Sequence, residues 1–223
     1  MGLDMYLSRY TTKGYNLETL KAVEAYFSLE EYKKSHPGYE CTLRNWRGVN
    51  EQLVTPQAIA DLSPLYEDKY FYWDSERKYP HKQLSDAVGY WRKANHIHNW
   101  FVENVQCGVD NCGSYIVSRD QLVQLRDACQ YVLDIAKTTN GAVEVGVQYS
   151  QNGVAEVITE PAEIIINAEE CAEILPTRGG FFFGGIHYDE YYINGIKATV
   201  QIIDNVLKTT DFEKQIIVYS ASW

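Results

Sequence analysis

Hydrophobic and polar residues alternate from the first positions of the chain. In MGLDMYLSRY, Leu3, Met5 and Leu7 point one way while Asp4, Tyr6 and Ser8 point the other, the two-residue period of a strand. Over residues 17–34 the period lengthens, and Leu17, Leu20, Val23 and Phe27 form the apolar stripe of a helix. From His36 to Pro80 no period holds. Pro37, Gly38, Pro56 and Pro64 punctuate this stretch, and Trp46, Tyr66, Tyr70, Phe71, Tyr72 and Trp73 crowd it. Residues 37–80 are expected to form an irregular, packed, aromatic-rich subdomain with short strands, not a tether.

Helical spacing returns over about residues 83–106 and stops at Gly108. A strand-like SYIVS leads into a third helix, where Ser118 and Gln121 have the spacing of a capping box. Leu122, Leu125, Cys129, Val132 and Ile135 are its stripe. AVEVGVQY and GVAEVITE flank SQNG, which predicts a β-hairpin over 142–160. A short helix over Ala168–Ile174 follows, then a long one over about 189–208 carrying Ile193, Ile196, Val200, Ile203 and Leu207. QIIVYSASW reads as a closing strand. This order predicts a single mixed α+β domain over 1–223, with about four to five helices, an antiparallel sheet and an inserted hairpin. The first and last strands are the natural candidates to pair.

Size and charge narrow the function classes. A chain of 223 residues, 45% hydrophobic and 22% charged, can bury a sizeable core. No apolar run approaches the roughly 18 residues of a membrane span. The start lacks the basic and apolar regions of a signal peptide, and Tyr6 stands where a myristoylation motif needs Ser or Thr. A cytoplasmic protein without membrane contact is expected. Five scattered cysteines (Cys41, Cys107, Cys112, Cys129, Cys171) suit reduced thiols better than a disulfide framework. The net charge of −10 argues against nonspecific nucleic-acid binding, which needs a basic patch.

The densest candidate chemistry is 90-YWRKANHIHNWF-101. On a helix spanning 83–106, Leu84, Val88, Trp91, Asn95, His98, Val102 and Val105 share one face. Asn95 and His98 then interrupt a core-facing stripe. Either they are buried and bonded to backbone elsewhere in the fold, or they point into a pocket with aromatic walls. Arg92, His96, Asn99 and Glu103 form a neighbouring polar face. His96, His98, Cys107, Asp110 and Cys112 are all metal-ligand types, but two imidazoles at i and i+2 on a helix diverge by about 200°, so the zinc signal is weak. Cys112, in the turn CGVDNCG, has no electropositive neighbour to activate it as a nucleophile and reads as a turn residue.

A second constellation is 177-TRGGFFFGG-185. Its paired glycines permit a backbone anion cradle, to which Arg178 would add a bidentate partner. The alternative is a glycine-hinged connection whose Phe181, Phe182 and Phe183 pack inward. Next to it, His187, Asp189 and Glu190 stand at a helix start. Asp189 and Glu190 there complement the helix dipole, and His187 or Asp189 could also serve general acid–base chemistry. No Walker, Rossmann, HExxH or nucleophile-elbow pattern is present.

Four pieces together resemble an uncharacterised bacteriophage and prophage family. They are MGLDMYL at 1–7, GYWRKANHIHNWF at 89–101 with DNCG at 110–113, LPTRGGFFFGG at 175–185 with YDEYY at 188–192, and the terminal Ser-x-Trp. The stretches 14–80 and 138–168 carry none of the pattern. The resemblance implies a phage or mobile-element origin and points to Asp4, Trp91, Arg92, Lys93, Asn95, His98, Gly180, Phe182, Asp189 and Tyr191. His96 and Cys107 are not required by it.

The expected function is that of an accessory protein acting against host defence, one that binds a small, anionic, nucleotide-like ligand or a host factor. Asp4, Trp91, Arg92, Asn95, His98, Arg178, Gly180, Phe182, Asp189 and Tyr191 are the candidate binding residues. An enzyme acting on a nucleotide or another phosphorylated metabolite is one alternative, with His98 or His187 as proton carrier and Asp4 or Asp189 as orienter or metal ligand. A protein–protein inhibitor using its 18 tyrosines is the other. The sequence names no cofactor and leaves the oligomeric state open.

Overall fold

A computed structural model of the chain describes residues 2–70, 80–149, 152 and 155–223. Its strands are β1 (Asp4–Thr11), β2 (Glu67–Tyr70), β3 (Pro80–Gln83), β4 (Ser85–Arg92), β5 (Ser114–Val117), β6 (Thr138–Tyr149), β7 (Ala155–Ile165) and β8 (Gln215–Ser222). Its α-helices are α1 (Leu17–Ser35), α2 (Leu43–Arg47), α3 (Pro56–Leu62), α4 (Asn95–Asn104), α5 (Arg119–Ile135), α6 (Ala168–Ile174) and α7 (Glu190–Thr209).

The alternation at the N-terminus builds the centre of the molecule. β1 and β8 pair antiparallel, Asp4 facing Ser222 and Thr11 facing Gln215, inside a four-stranded sheet ordered β4-β1-β8-β5. Leu3, Met5 and Leu7 are fully buried and join Trp91, Ile217, Tyr219 and residues of α4, α5 and α7 in the larger core. Residues of the opposite parity, Tyr10 and Val218, join Leu20, Val23, Ala58 and Leu62 in a smaller core under α1 and α3. The sheet is thus covered by helices on both faces, and this is the mixed α+β architecture read from the pattern.

The helix expected over 83–106 is two elements. Residues 85–92 are strand β4, with Trp91 opposite Met5 and Arg92 opposite Asp4, and α4 begins only at Asn95. Leu84, Val88 and Trp91 therefore share no helix face with Asn95 and His98. The spacing of four and three residues mimicked a helix. Tyr90 and Trp91 favour strands, however, Gly89 weakens a helix, and the open edge of β1 supplies a ladder. Gly89 also admits α7, since a Cβ there would stand 2.7 Å from Ile202 Cγ2. Lys93 turns the chain from strand to helix at φ +58°, a left-handed conformation that costs a non-glycine residue about 1–2 kcal/mol.

The segment after α1 holds two short helices, α2 and α3, where the sequence suggested only short strands; β2 and β3 supply those. Thr42 and Thr55 cap these helices, accepting from Asn45 N and Ala58 N. Phe71, Tyr72 and Trp73 lie outside the described residues. The Ser118–Gln121 capping box is complete in both directions. β6 and β7 form the expected hairpin, longer than predicted, and its SQNG turn falls almost wholly outside the described residues. Among the described residues no helix is long and apolar enough to cross a membrane.

Candidate functional site

Helix α4 begins with Asn95, His96, Ile97 and His98, and its first turn is where the distant motifs meet. Ala94 at the N-cap supplies no side-chain acceptor, so the positive pole of the helix has no internal cap. Asn95 N–H bonds back to Lys93 O, while Ile97 N–H and His98 N–H reach Ala94 O. The main-chain N–H of His96 meets no acceptor among the described residues.

In front of this end lies a cavity of about 370 Å³, lined by Arg92, Lys93, Asn95, His96, Thr177, Gly184, Gly185, His187, Asp189, Tyr191, Tyr192 and Gly195, among others. Three stretches thus contribute: the β4–α4 turn running into the start of α4, the glycine-rich loop, and the N-cap and first turns of α7. That volume falls in the range of small-molecule sites. Arg92 is aimed by Asp4, whose carboxylate takes Nη1 at 2.9 and 3.2 Å and also accepts from the Tyr90 hydroxyl. Lys93 forms no ion pair among the described residues. Asp189 contributes the carboxylate in the lining, but it caps α7, its Oδ1 accepting from Tyr191 N at 2.9 Å and Tyr192 N at 3.2 Å.

Asn95 touches the cavity, yet its carboxamide is spent on the loop. Nδ2 donates to Gly185 O at 2.7 Å and to Phe183 O at 3.2 Å, while Oδ1 accepts from Arg178 N. It staples residues 178–185 over the helix end. Phe183 folds into the core across Gly180, where a Cβ would strike its ring at 2.6 Å. Phe182 O accepts from Leu3 N–H, which ties the loop to the N-terminal strand. Phe181, by contrast, is 94% exposed.

His98 belongs to another environment. It is fully buried, with Nδ1 2.7 Å from the Tyr219 hydroxyl and Nε2 3.2 Å from Asp110 Oδ2. Because the Asp110 carboxylate only accepts, the consistent tautomer carries its proton on Nε2, and Tyr219 donates to Nδ1. Burial lowers the His98 pKa, although Asp110 pulls it upward. Arg178 closes this network at Asn99 Oδ1 (2.9 Å), Asp110 Oδ2 (3.5 Å) and Glu103 Oε1 (3.6 Å).

Of the ten sequence candidates, Arg92, Asn95, Asp189 and Tyr191 line the cavity. Asp4 stands behind Arg92. Trp91 is in the core, its Nε1 donating to Thr199 Oγ1 at 2.9 Å. His98 and Arg178 belong to the Asp110 network, and Gly180 and Phe182 shape the loop. The two imidazoles diverge, as the i, i+2 spacing requires: His96 packs on Tyr192 with ring centres 4.5 Å apart, and His98 bonds to Tyr219. His96 does not share an exposed polar face with Asn99 and Glu103, for it is 4% exposed and looks toward α7. Cys107 and Cys112 are exposed turn residues with φ of +53° and +54°.

Sequence reasoning missed His96, Tyr192 and Gly195 as parts of one site and left Lys93 out of the candidate binding residues. Gly195 carried a legible signal, because a glycine inside an amphipathic helix marks a close approach. No protein-family model, curated protein or solved structure matches this chain.

Proposed function

We propose that the chain is a phage- or prophage-encoded accessory protein that binds a small anionic ligand at the N-terminus of α4, working in the cytoplasm of the bacterial host against its defence. One observation carries the ligand reading: a helix N-terminus without a side-chain cap opens into a cavity beside Arg92 and Lys93, the latter in no ion pair among the described residues. An unmet N–H (that of His96), the positive helix pole and two cations are elements that recur in anion sites. A net charge of −10 does not oppose this, since local cations act within a Debye length of about 8 Å. The motif resemblance supplies the phage origin, and the role against host defence is inferred from that origin.

The test is calorimetric titration of the purified chain with inorganic phosphate and pyrophosphate. Arg92→Gln and Lys93→Gln should each weaken binding about tenfold or more, the value of one charge-assisted contact. Absence of phosphate binding by the unaltered chain would remove the reading. A second reading, docking of a host protein, draws support from Phe181, an aromatic side chain held almost fully in solvent. Phe181→Ala would then abolish capture of that protein and leave phosphate binding unchanged.

A further inference from the structure

The β6–β7 hairpin holds apolar side chains in solvent along its outer half. Its base is anchored: Ile165 is buried in the larger core, its N–H donates to Tyr188 O, and Ile164 bridges to Asp189. Asn167 ties the base to the end of α5, Nδ2 donating to Ile135 O and Oδ1 accepting from Lys137 N. Beyond Val143 this support ends. Residues 144–149 and 155–161 are all exposed, and among them Val145, Val147, Tyr149, Val157 and Ile158 are 42% to 72% exposed. Val147 faces Val157 and Tyr149 faces Ala155, so these pairs share one face of the ribbon, while Ile158 lies on the other. A two-stranded hairpin is marginal in water without a third strand or a packed face. Among the described residues the outer half of this one has neither.

The two outer edges of the ribbon differ. β7 carries Glu156, Glu160, Glu163 and Pro161, and charges together with a proline that lacks an N–H are what close an edge to further pairing. β6 carries a single charge, Glu144, and no proline, with one bulge between Glu144 and Gly146. The open edge is therefore that of β6. Charge then selects the occupant. Residues 138–165 contain four glutamates and no lysine, arginine or histidine. A second copy of the arm would add carboxylates to carboxylates, and nucleic acid is itself a polyanion. A basic polypeptide is attracted instead. Glu156 and Glu160 share the parity of Ile158, on the face opposite Val147, Tyr149 and Val157. The arm thus has an apolar side and an acidic side.

We propose that the β6–β7 arm docks a partner protein by strand addition: a basic, extended segment that alternates cationic and apolar residues joins β6 as a third strand. Its apolar side chains cover Val147, Tyr149 and Val157, and its lysines or arginines fall on the side of Glu156 and Glu160. Main-chain hydrogen bonds to β6 supply affinity, and the two-residue alternation supplies specificity. This surface is independent of the cavity at α4.

Fluorescence anisotropy on the full chain tests this with three labelled peptides: an alternating Lys-Val peptide, its Glu-Val counterpart, and the Lys-Val peptide with a proline at its centre. The first should bind about tenfold or more tightly than either of the others. Val147→Thr with Val157→Thr, which keeps β-branched side chains, should weaken it about fivefold, as should Glu144→Gln with Glu156→Gln and Glu160→Gln. Removing the same charge from exposed positions of the body, by Glu169→Gln, Glu173→Gln and Glu213→Gln, should change little. Amide exchange in the complex should slow along β6 and not along β7. Thermal melting identifies an arm variant that fails to fold, and the other then carries the comparison. Absence of binding, equal binding of the proline peptide, an equal loss from the body variant, or protection on β7 would each overturn the proposal. A dimer of the chain alone that Val147→Thr with Val157→Thr returns to monomer would also overturn it, in favour of a second copy on this edge.

Discussion

Helix α4 presents two histidines, two residues apart, to opposite circumstances. Around His98 each ring nitrogen has a partner, and Tyr219, Asp110 and Arg178 form a network that joins the last strand, the turn after α4 and the glycine-rich loop, with Asp110 Oδ1 left unmet among the described residues. Around His96 a ring nitrogen and a main-chain N–H are unmet among the described residues, the adjoining Lys93 is in a left-handed conformation, and a glycine of α7 packs against the ring. Satisfied buried polar groups help to fix a fold, whereas an unmet one is costly wherever it lies, and Asp110 Oδ1 on the His98 side is also unmet. Both residues are buried and both resist protonation, so neither burial nor a lowered pKa separates structure from site. What differs between the two imidazoles is the state of their own ring nitrogens.

That contrast can be broken most forcefully at His98. His98→Ala strands the Tyr219 hydroxyl and Asp110 and leaves a hole, and should cost about 3 kcal/mol or more in urea unfolding. His96→Phe, losing no hydrogen bond, should cost far less at neutral pH. Equal losses would erase the distinction between the two sides.

A smaller effect concerns acid. The folded-state pKa of His96 is pushed down to about 3, below the ordinary value of about 6.5. As pH falls below about 6.5 the unfolded chain takes the proton first, so stability present at neutral pH is lost toward pH 3. The slope from this one group is up to about 1.4 kcal/mol per pH unit. His96→Phe should flatten the acid limb accordingly, read as the shift of urea midpoint between about pH 6 and pH 4.

The smallest effect is at Lys93. Lys93→Gly relieves the positive φ but adds unfolded-state freedom, so stability should rise by no more than about 1 kcal/mol. Phosphate affinity should fall about tenfold in the same variant, for want of the ammonium. A loss of stability instead would show that the strain is not stored at this residue.

Parts of this were legible in the chain itself. The alternation of Leu3, Met5 and Leu7, the capping box at Ser118 and the stripe of α7 are local statements, each made by residues within two turns or one strand of one another. They fixed the α+β class and the terminal strands as natural partners. The stretch 83–92 misled because a period of four and three residues is shared by a helix and, over so few positions, by a strand whose neighbour is far away in sequence. The polar character of Asn95 and His98 was visible, as was the option of bonding to distant backbone, which Asn95 takes; the partners were not, since Asn95 binds a loop more than 80 residues later and His98 a tyrosine 121 residues later.

What the sequence determined by itself, then, was the set of elements whose stabilising pattern is short-range. The tertiary structure decided which polar groups found partners. Residues 92–96 contact Thr177, Gly184, Gly185 and Gly195 only after the sheet and α7 have packed, and no local pattern records whether a nitrogen placed there will be met or left open. Hydrogen bonding is a pairwise property of groups brought together across the fold, whereas periodicity is a property of one segment.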